Sequence, residues 1–182
     1  VHGVSDQPVD DAFLEAARAA GTVYTPTLVV GDGYRQLRAR DFAAERYDLR
    51  CVDPATRAKA FLTDSLPGGA TPEQAATIRA RGDRQHRIMV DNLRRVRAAG
   101  IPVAMGTDAG NPLTLAGPSV YLEMEAMQAA GMSPMEVLVA ATRVSAEAMG
   151  RASHLGSLEP GKFGDLVVLA ADPIADIRNV RS

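Results

Sequence analysis

The chain has 182 residues, which suits one ordinary domain or a piece of a larger one. Nearly half the residues are apolar (46%), so a real core can form, but aromatics are only 4% and Trp is absent, leaving Ala, Leu, Val and Met to fill it. A formal net charge of -2 gives no reason to expect a polyanion partner. No apolar run approaches the roughly 20 residues of a membrane span. Cys51 is the only cysteine, which excludes an intrachain disulfide; it fits a reducing compartment, and a cytoplasmic location is expected.

The first residues, "VHG" (1–3), read as the end of a buried strand running into a loop. Residues 9–21 read as a helix capped by Asp10 or Asp11, with Phe13, Leu14, Ala16 and Ala17 recurring on one side and Gly21 as the stop. "TVYTPTLVV" (22–30) is β-branched and aromatic and is expected to be a strand, with Pro26 at its end or at a bulge. "GDG" (31–33) should then break the chain, and residues 35–66 look like helical turns. "LPGGAT" (66–71) is a loop. "TPEQ" (71–74) opens a long helix with Thr71 as cap, Pro72 in the first turn and Gln74 closing a capping box. That helix should run to about Ala99, with Met89, Leu93 and Val96 on one face.

"IPVAMGTDAGNP" (101–112) reads as a short apolar strand entering a Gly/Asp/Asn loop. Helices follow near 119–130 and 134–149, the second opened by a capping box in "SPME" (133–136). "GSLEPGKFGDLVVLAADP" (156–173) reads as a turn and a buried strand at 166–169. Strands alternating with helices imply an α/β fold with parallel pairing.

In parallel α/β folds chemistry collects where strands end. Such ends carry His2 and Asp108, while Tyr24, Thr25 and Thr27 can hydrogen-bond a ligand but are poor metal ligands. A lone His is ordinarily a surface or core residue, and an Asp in a Gly-flanked turn ordinarily serves the turn. Their shared placement is what points to chemistry, because a zinc-type site needs imidazole and carboxylate donors converging from separate rigid elements.

On "HG" (2–3), "GTVYTPTL" (21–28), "GTDAG" (106–110) and the tail signature at 156–173, the sequence resembles the amidohydrolase superfamily, in its imidazolonepropionase-like and prolidase-like branch. The resemblance implies a (β/α)₈ TIM barrel with one or two divalent metals, Zn²⁺ first among them. Residues 1–155 would then be the C-terminal part of the barrel, strands six to eight. Residues 156–182 would supply a terminal strand of a small flanking β-domain. The family's His-x-His, bridging lysine and strand-five His would lie outside this chain, since Lys59 falls in a helical stretch and Lys162 in the tail turn. In the tail, Gly164 stands where the family usually has Ala, and Asp165 is expected to be a turn residue.

The resemblance further implies that His2 binds a metal and that Asp108 is both metal ligand and general base. The reaction would be hydrolysis of an amide, cyclic amide or dipeptide bond, with deamination as the neighbouring chemistry. Tyr34 or Arg35, in a loop "GDGYRQ" (31–36) over the site, would meet a substrate carboxylate, and Asn111 is a further substrate-side candidate. His86 and His154 are expected to play no part. The Arg-rich stretch 79–97 spreads its charge over most helix faces without interleaved aromatics, so neither nucleic acid nor membrane is expected as a partner; a homo-oligomer is left open. A contrasting expectation is a catalytically inactive half-barrel that serves as a binding or assembly module, because three strands cannot close a barrel and two ligands fall short of a catalytic set.

Overall fold

A computed structural model describes residues 1–65, 67–68 and 70–182, with the side chains of Cys51 and Asp64 left aside. The expected loop at 66–71 therefore lies partly outside the described residues, at Leu66 and Gly69.

Helix α1 (Asp11–Ala19) starts where Asp10 accepts a hydrogen bond from the Phe13 amide (2.8 Å), and it buries Leu14 and Ala17. The chain reverses at Gly21, whose φ of +62° is the left-handed conformation that glycine adopts without penalty. It then runs extended through Tyr24 and Thr25, between two parallel neighbours. The Thr25 amide donates to Val1 O (2.8 Å) on one side, and the Tyr24 amide donates to Pro102 O (2.9 Å) on the other. The Ala104 amide returns a bond to Tyr24 O (3.0 Å). The spatial order is thus residues 1–3, 23–25, 102–104. Among the described residues these contacts remain single bridges, and no extended strand ladder forms.

The expected strand at 22–30 is cut short. Helix α2 (Leu28–Ala39) takes its last three residues and also runs straight through the expected break at 31–33. Pro26 offers no ladder donor, and Thr27 turns the backbone with φ 46° and ψ 47°. Gly33 proves to mark a close approach rather than a break: a Cβ there would lie 2.3 Å from Pro112 O. Gly82 plays the same part against Arg35, whose side chain a Cβ would meet at 2.9 Å.

After short 3₁₀ turns at Ala44–Arg46 and Leu49–Cys51 come helix α3 (Pro54–Phe61), capped by Asp53, and helix α4 (Pro72–Ala98). The capping box of α4 forms as the sequence predicts, with Thr71 and Gln74 bonding each other's amides. Its buried stripe is Ala75, Met89, Asn92, Leu93 and Val96. Helix α5 (Pro118–Ala129) precedes helix α6 (Pro134–Val139), whose Ser133–Glu136 capping box also forms. The single helix expected at 134–149 is interrupted by a π-helical turn at Ala140–Val144 before helix α7 (Ser145–Ala148).

The main core gathers Tyr24, Leu28, Leu93, Val96, Met127, Val137 and Ile177; a second one joins Tyr47, Val52, Ala60, Leu113, Leu115 and Leu122. The expected buried strand at 166–169 does not form: Leu166, Val167 and Val168 are 61%, 81% and 83% exposed. Its β-branched run pairs with nothing among the described residues, so neither ladder bonds nor an apolar partner fixes it. No described helix is long and apolar enough to cross a membrane.

Candidate functional site

His2 sits on the outer extended segment, and its Nε2 faces two groups. Asp108 Oδ2 lies 3.4 Å away and Thr27 Oγ1 3.1 Å away. Both members of the His2–Asp108 pair are about half exposed, at 57% and 48%. Each comes from a different element, and each element is pinned by buried contacts.

The loop after His2 is stapled by Asn92, fully buried on α4. Its Oδ1 accepts from the Val9 amide (2.8 Å), while its Nδ2 donates to Val4 O and Gln7 O (both 3.0 Å). The segment before Asp108 is held by the π turn. There the Met105 amide donates to Ala140 O (3.1 Å), and the Ser145 hydroxyl donates to Ala140 O (2.7 Å). Asp108 itself has φ 53°, uncommon for a residue with a side chain, and begins a tight loop. The Asn111 Nδ2 bonds back to Asp108 O (2.9 Å), and the Gly110 amide reaches Thr114 O (3.1 Å).

Tyr34, from α2, donates its hydroxyl to Asn111 Oδ1 (2.7 Å), so two of the substrate-side candidates meet at the Asp108 loop. Arg35 does not join them. Its guanidinium bonds Asp32 (2.9 Å) and Asp41 (3.1 Å), and its charge is balanced there. Burial would raise the Asp32 pKa, yet Arg46 and Arg35 together hold it below the usual carboxylate range. "GDGYRQ" (31–36) is therefore a packed helical turn and not a loop free to close.

Beside His2 opens a cleft of about 1070 Å³, lined among others by Tyr34, Arg38, Arg81 and His86. His86 thus lies nearer the candidate site than its sequence position suggests, while His154 contacts Ser153 and the Phe163 ring. Lys162 is occupied in the tail with Ser157 (2.6 Å), and Lys59 lies on α3.

Sequence reasoning passes over Glu123. This carboxylate on α5 is fully buried and accepts from the Leu28 amide (Oε1, 2.9 Å) and the Val29 amide (Oε2, 2.9 Å). Burial pushes its pKa up to about 7, against the pull of those two bonds. The one signal available was an acidic residue between Leu122 and Met124 in a helix with little polar face.

The donor chemistry suits a divalent cation in part. Two ligands at about 2.0–2.1 Å on a tetrahedral ion stand about 3.4 Å apart, which is the separation of His2 Nε2 and Asp108 Oδ2, 3.4 Å. Among the described residues no third His, Cys, Asp or Glu joins them.

The family model for the amidohydrolase family matches residues 79–182, which include Asp108 and Asn111. The chain belongs to the amidohydrolase family. The imidazolonepropionase of Geobacillus kaustophilus (strain HTA426) is 49% identical over 76 residues, 41% of this chain and 18% of that protein. The imidazolonepropionase of Chloroflexus aggregans is 45% identical over 75 residues, 41% of this chain and 17% of that protein. Among solved structures, a Xaa-Pro dipeptidase with methionine bound in its active site superposes with a TM-score of 0.65 at 23% identity, covering 94% of this chain and 34% of the other. The A. niger ochratoxinase gives 0.61 at 22%, covering all of this chain and 33% of the other. At these identities the structural likeness establishes the fold alone. The chain therefore spans about a third of these two structures, and its matches span under a fifth of the imidazolonepropionases.

Proposed function

We propose that this chain supplies one side of the metal site of a hydrolase that cleaves carbon–nitrogen bonds in a small-molecule amide, cyclic amide or dipeptide. The observation that carries the reading is the convergence of His2 and Asp108 at 3.4 Å from separate, well-anchored elements. Family membership and relatives named imidazolonepropionase support it. In this reading residues 1–3, 23–25 and 102–104 are the ends of strands six to eight of the barrel. Residues 156–182 are the return to a flanking β-domain. The remaining metal ligands come from outside the chain.

His2 and Asp108 would hold one or two divalent ions, with Zn²⁺ favoured by the imidazole and carboxylate donors. When bound, such an ion supplies Lewis acidity, bringing the pKa of water from about 15.7 to near 7 and polarising the scissile carbonyl. Asp108 takes the proton from the attacking water and delivers it to the leaving nitrogen. The Thr27 hydroxyl holds the same Nε2 that would bind the ion and would give that nitrogen up when the ion binds. Tyr34 and Asn111 border the substrate's approach; Arg35 could meet a substrate carboxylate only by giving up Asp32 or Asp41. A cytoplasmic protein, monomeric or a homo-oligomer, fits this reading. Attack on an amidine carbon, giving deamination, uses the same groups.

The test is Asp108→Asn in the intact protein. Turnover should fall about 10²–10⁴-fold, the usual scale for a general acid–base group, with the fold unchanged by circular dichroism. Normal turnover would remove the role assigned to Asp108. A second reading, an inactive binding or assembly module, draws on the exposed run Leu166, Val167 and Val168 and on the incomplete ligand set. It predicts no turnover and no stoichiometric metal even in the wild-type protein.

A further inference from the structure

We infer that Glu123 is a positioning residue that sets the His2 ring before an ion binds, acting through the start of α2 and the hydroxyl of Thr27. The inference rests on the reading of His2 as a site residue.

A helix leaves its first amides without intrahelical partners, and a side chain at the cap usually satisfies them. Thr27 occupies the cap position of α2 and has a suitable hydroxyl, yet makes no capping bond. Its Oγ1 lies 3.1 Å from His2 Nε2 instead. The capping duty passes to Glu123, which takes the Leu28 and Val29 amides on separate oxygens at 2.9 Å each. The negative charge also suits the positive end of the helix dipole.

Thr27 has φ 46°, a strained conformation for a β-branched residue that persists only where its surroundings enforce it. Glu123 bonds the two residues that directly follow it, so the turn at Thr27 cannot relax without breaking one of those bonds. Thr27 itself is 2% exposed and has no room to swing its hydroxyl into solvent. A buried carboxylate is an expensive cap for a helix, but an apolar residue in its place would leave the Leu28 and Val29 amides without that partner. No Lys or Arg is paired with Glu123 among the described residues, so its only charge-stabilising partners are the amides of α2.

The experiment uses the full chain with Glu123→Gln, Thr27→Val and both together. Two readouts are followed in Zn²⁺-free protein, where the Thr27 hydroxyl can hold Nε2: exchange of the Leu28 and Val29 amides, and the ¹⁵N shifts of the His2 ring. Glu123→Gln should speed exchange of those amides about tenfold, since a charge-assisted bond is lost, and should also move the His2 ring signals. Thr27→Val should move the same ring signals while leaving the amides protected. The double variant should move them no further than Thr27→Val alone. If Glu123→Gln exposes the amides but leaves the His2 ring unchanged, Glu123 is a helix cap only and the inference fails. Should Glu123→Gln not fold, unchanged ring signals in Thr27→Val overturn it equally. These readouts do not depend on turnover, so a failure of the Asp108→Asn test leaves them interpretable.

Discussion

Residues 1–150 and the tail that follows them have similar apolar content but opposite fates. In the first region Tyr24, Leu93, Val96, Met127 and Val137 are all under 2% exposed, and helix α2 packs on both α4 and α5. In the tail, Leu158, Phe163, Leu166, Val167 and Val168 all face solvent. The tail is anchored at its far end, where Ile177 is buried in the main core and Arg181 pairs with Glu125 and stacks over the Tyr121 ring. The contrast shows that an apolar run states what a segment is suited to bury against. Whether the partner surface is supplied by the same residues is a separate question, decided by tertiary contacts.

The contrast can be pressed by substitution. Leu93→Ala, in the middle of the packed region, should cost about 2–5 kcal/mol, read as a lower urea midpoint of the chain. A loss below about 0.5 kcal/mol would mean that this core is not the stabilising one. Gly33→Ala should cost about 1–3 kcal/mol, because the new methyl would collide with Pro112 O. It should also loosen the Asp108 loop, seen as faster amide exchange at Gly110 and Thr114, whose bonds lie in that loop.

A further effect is pH-dependent. The Glu123 pKa is raised from 4.5 in the unfolded chain to about 7 in the fold, so folding favours its protonated form. Its contribution to stability is fully present below about pH 4.5 and is lost as pH rises through 7. Glu123→Gln should flatten that part of the stability profile between those values; an unchanged slope would contradict the burial of a titrating carboxylate. Smallest of all, Val167→Thr in the exposed tail should change stability by no more than about 0.5 kcal/mol. A large loss there would break the comparison, showing the tail to be packed in solution.

What the sequence revealed was mostly local. The capping boxes at Thr71–Gln74 and Ser133–Glu136 each lie within four residues, and both formed as read. Gly21 and Gly100 stopped their helices by backbone geometry alone. Helix α2 differs from the expected strand and break because its cap comes from Glu123, 95 positions beyond Leu28, and its Gly33 serves close packing at Pro112. No window of neighbouring residues contains that information. The pairing of His2 with Asp108 was suggested by their placement at strand ends and by family resemblance, although 106 positions separate them; their approach follows from the parallel bridges on either side of Tyr24 and Thr25. Asn92 and the π turn, which steady the two sides of the site, are tertiary devices hidden in ordinary helical sequence.

The central claim is that His2 and Asp108 serve a common metal site. An anomalous difference map at the zinc edge, from crystals of the intact protein grown with Zn²⁺, tests it most directly. The account predicts a peak at about 2.0–2.2 Å from both His2 Nε2 and Asp108 Oδ2. Zinc bound only elsewhere, or none, with the two side chains still in direct contact, would contradict it.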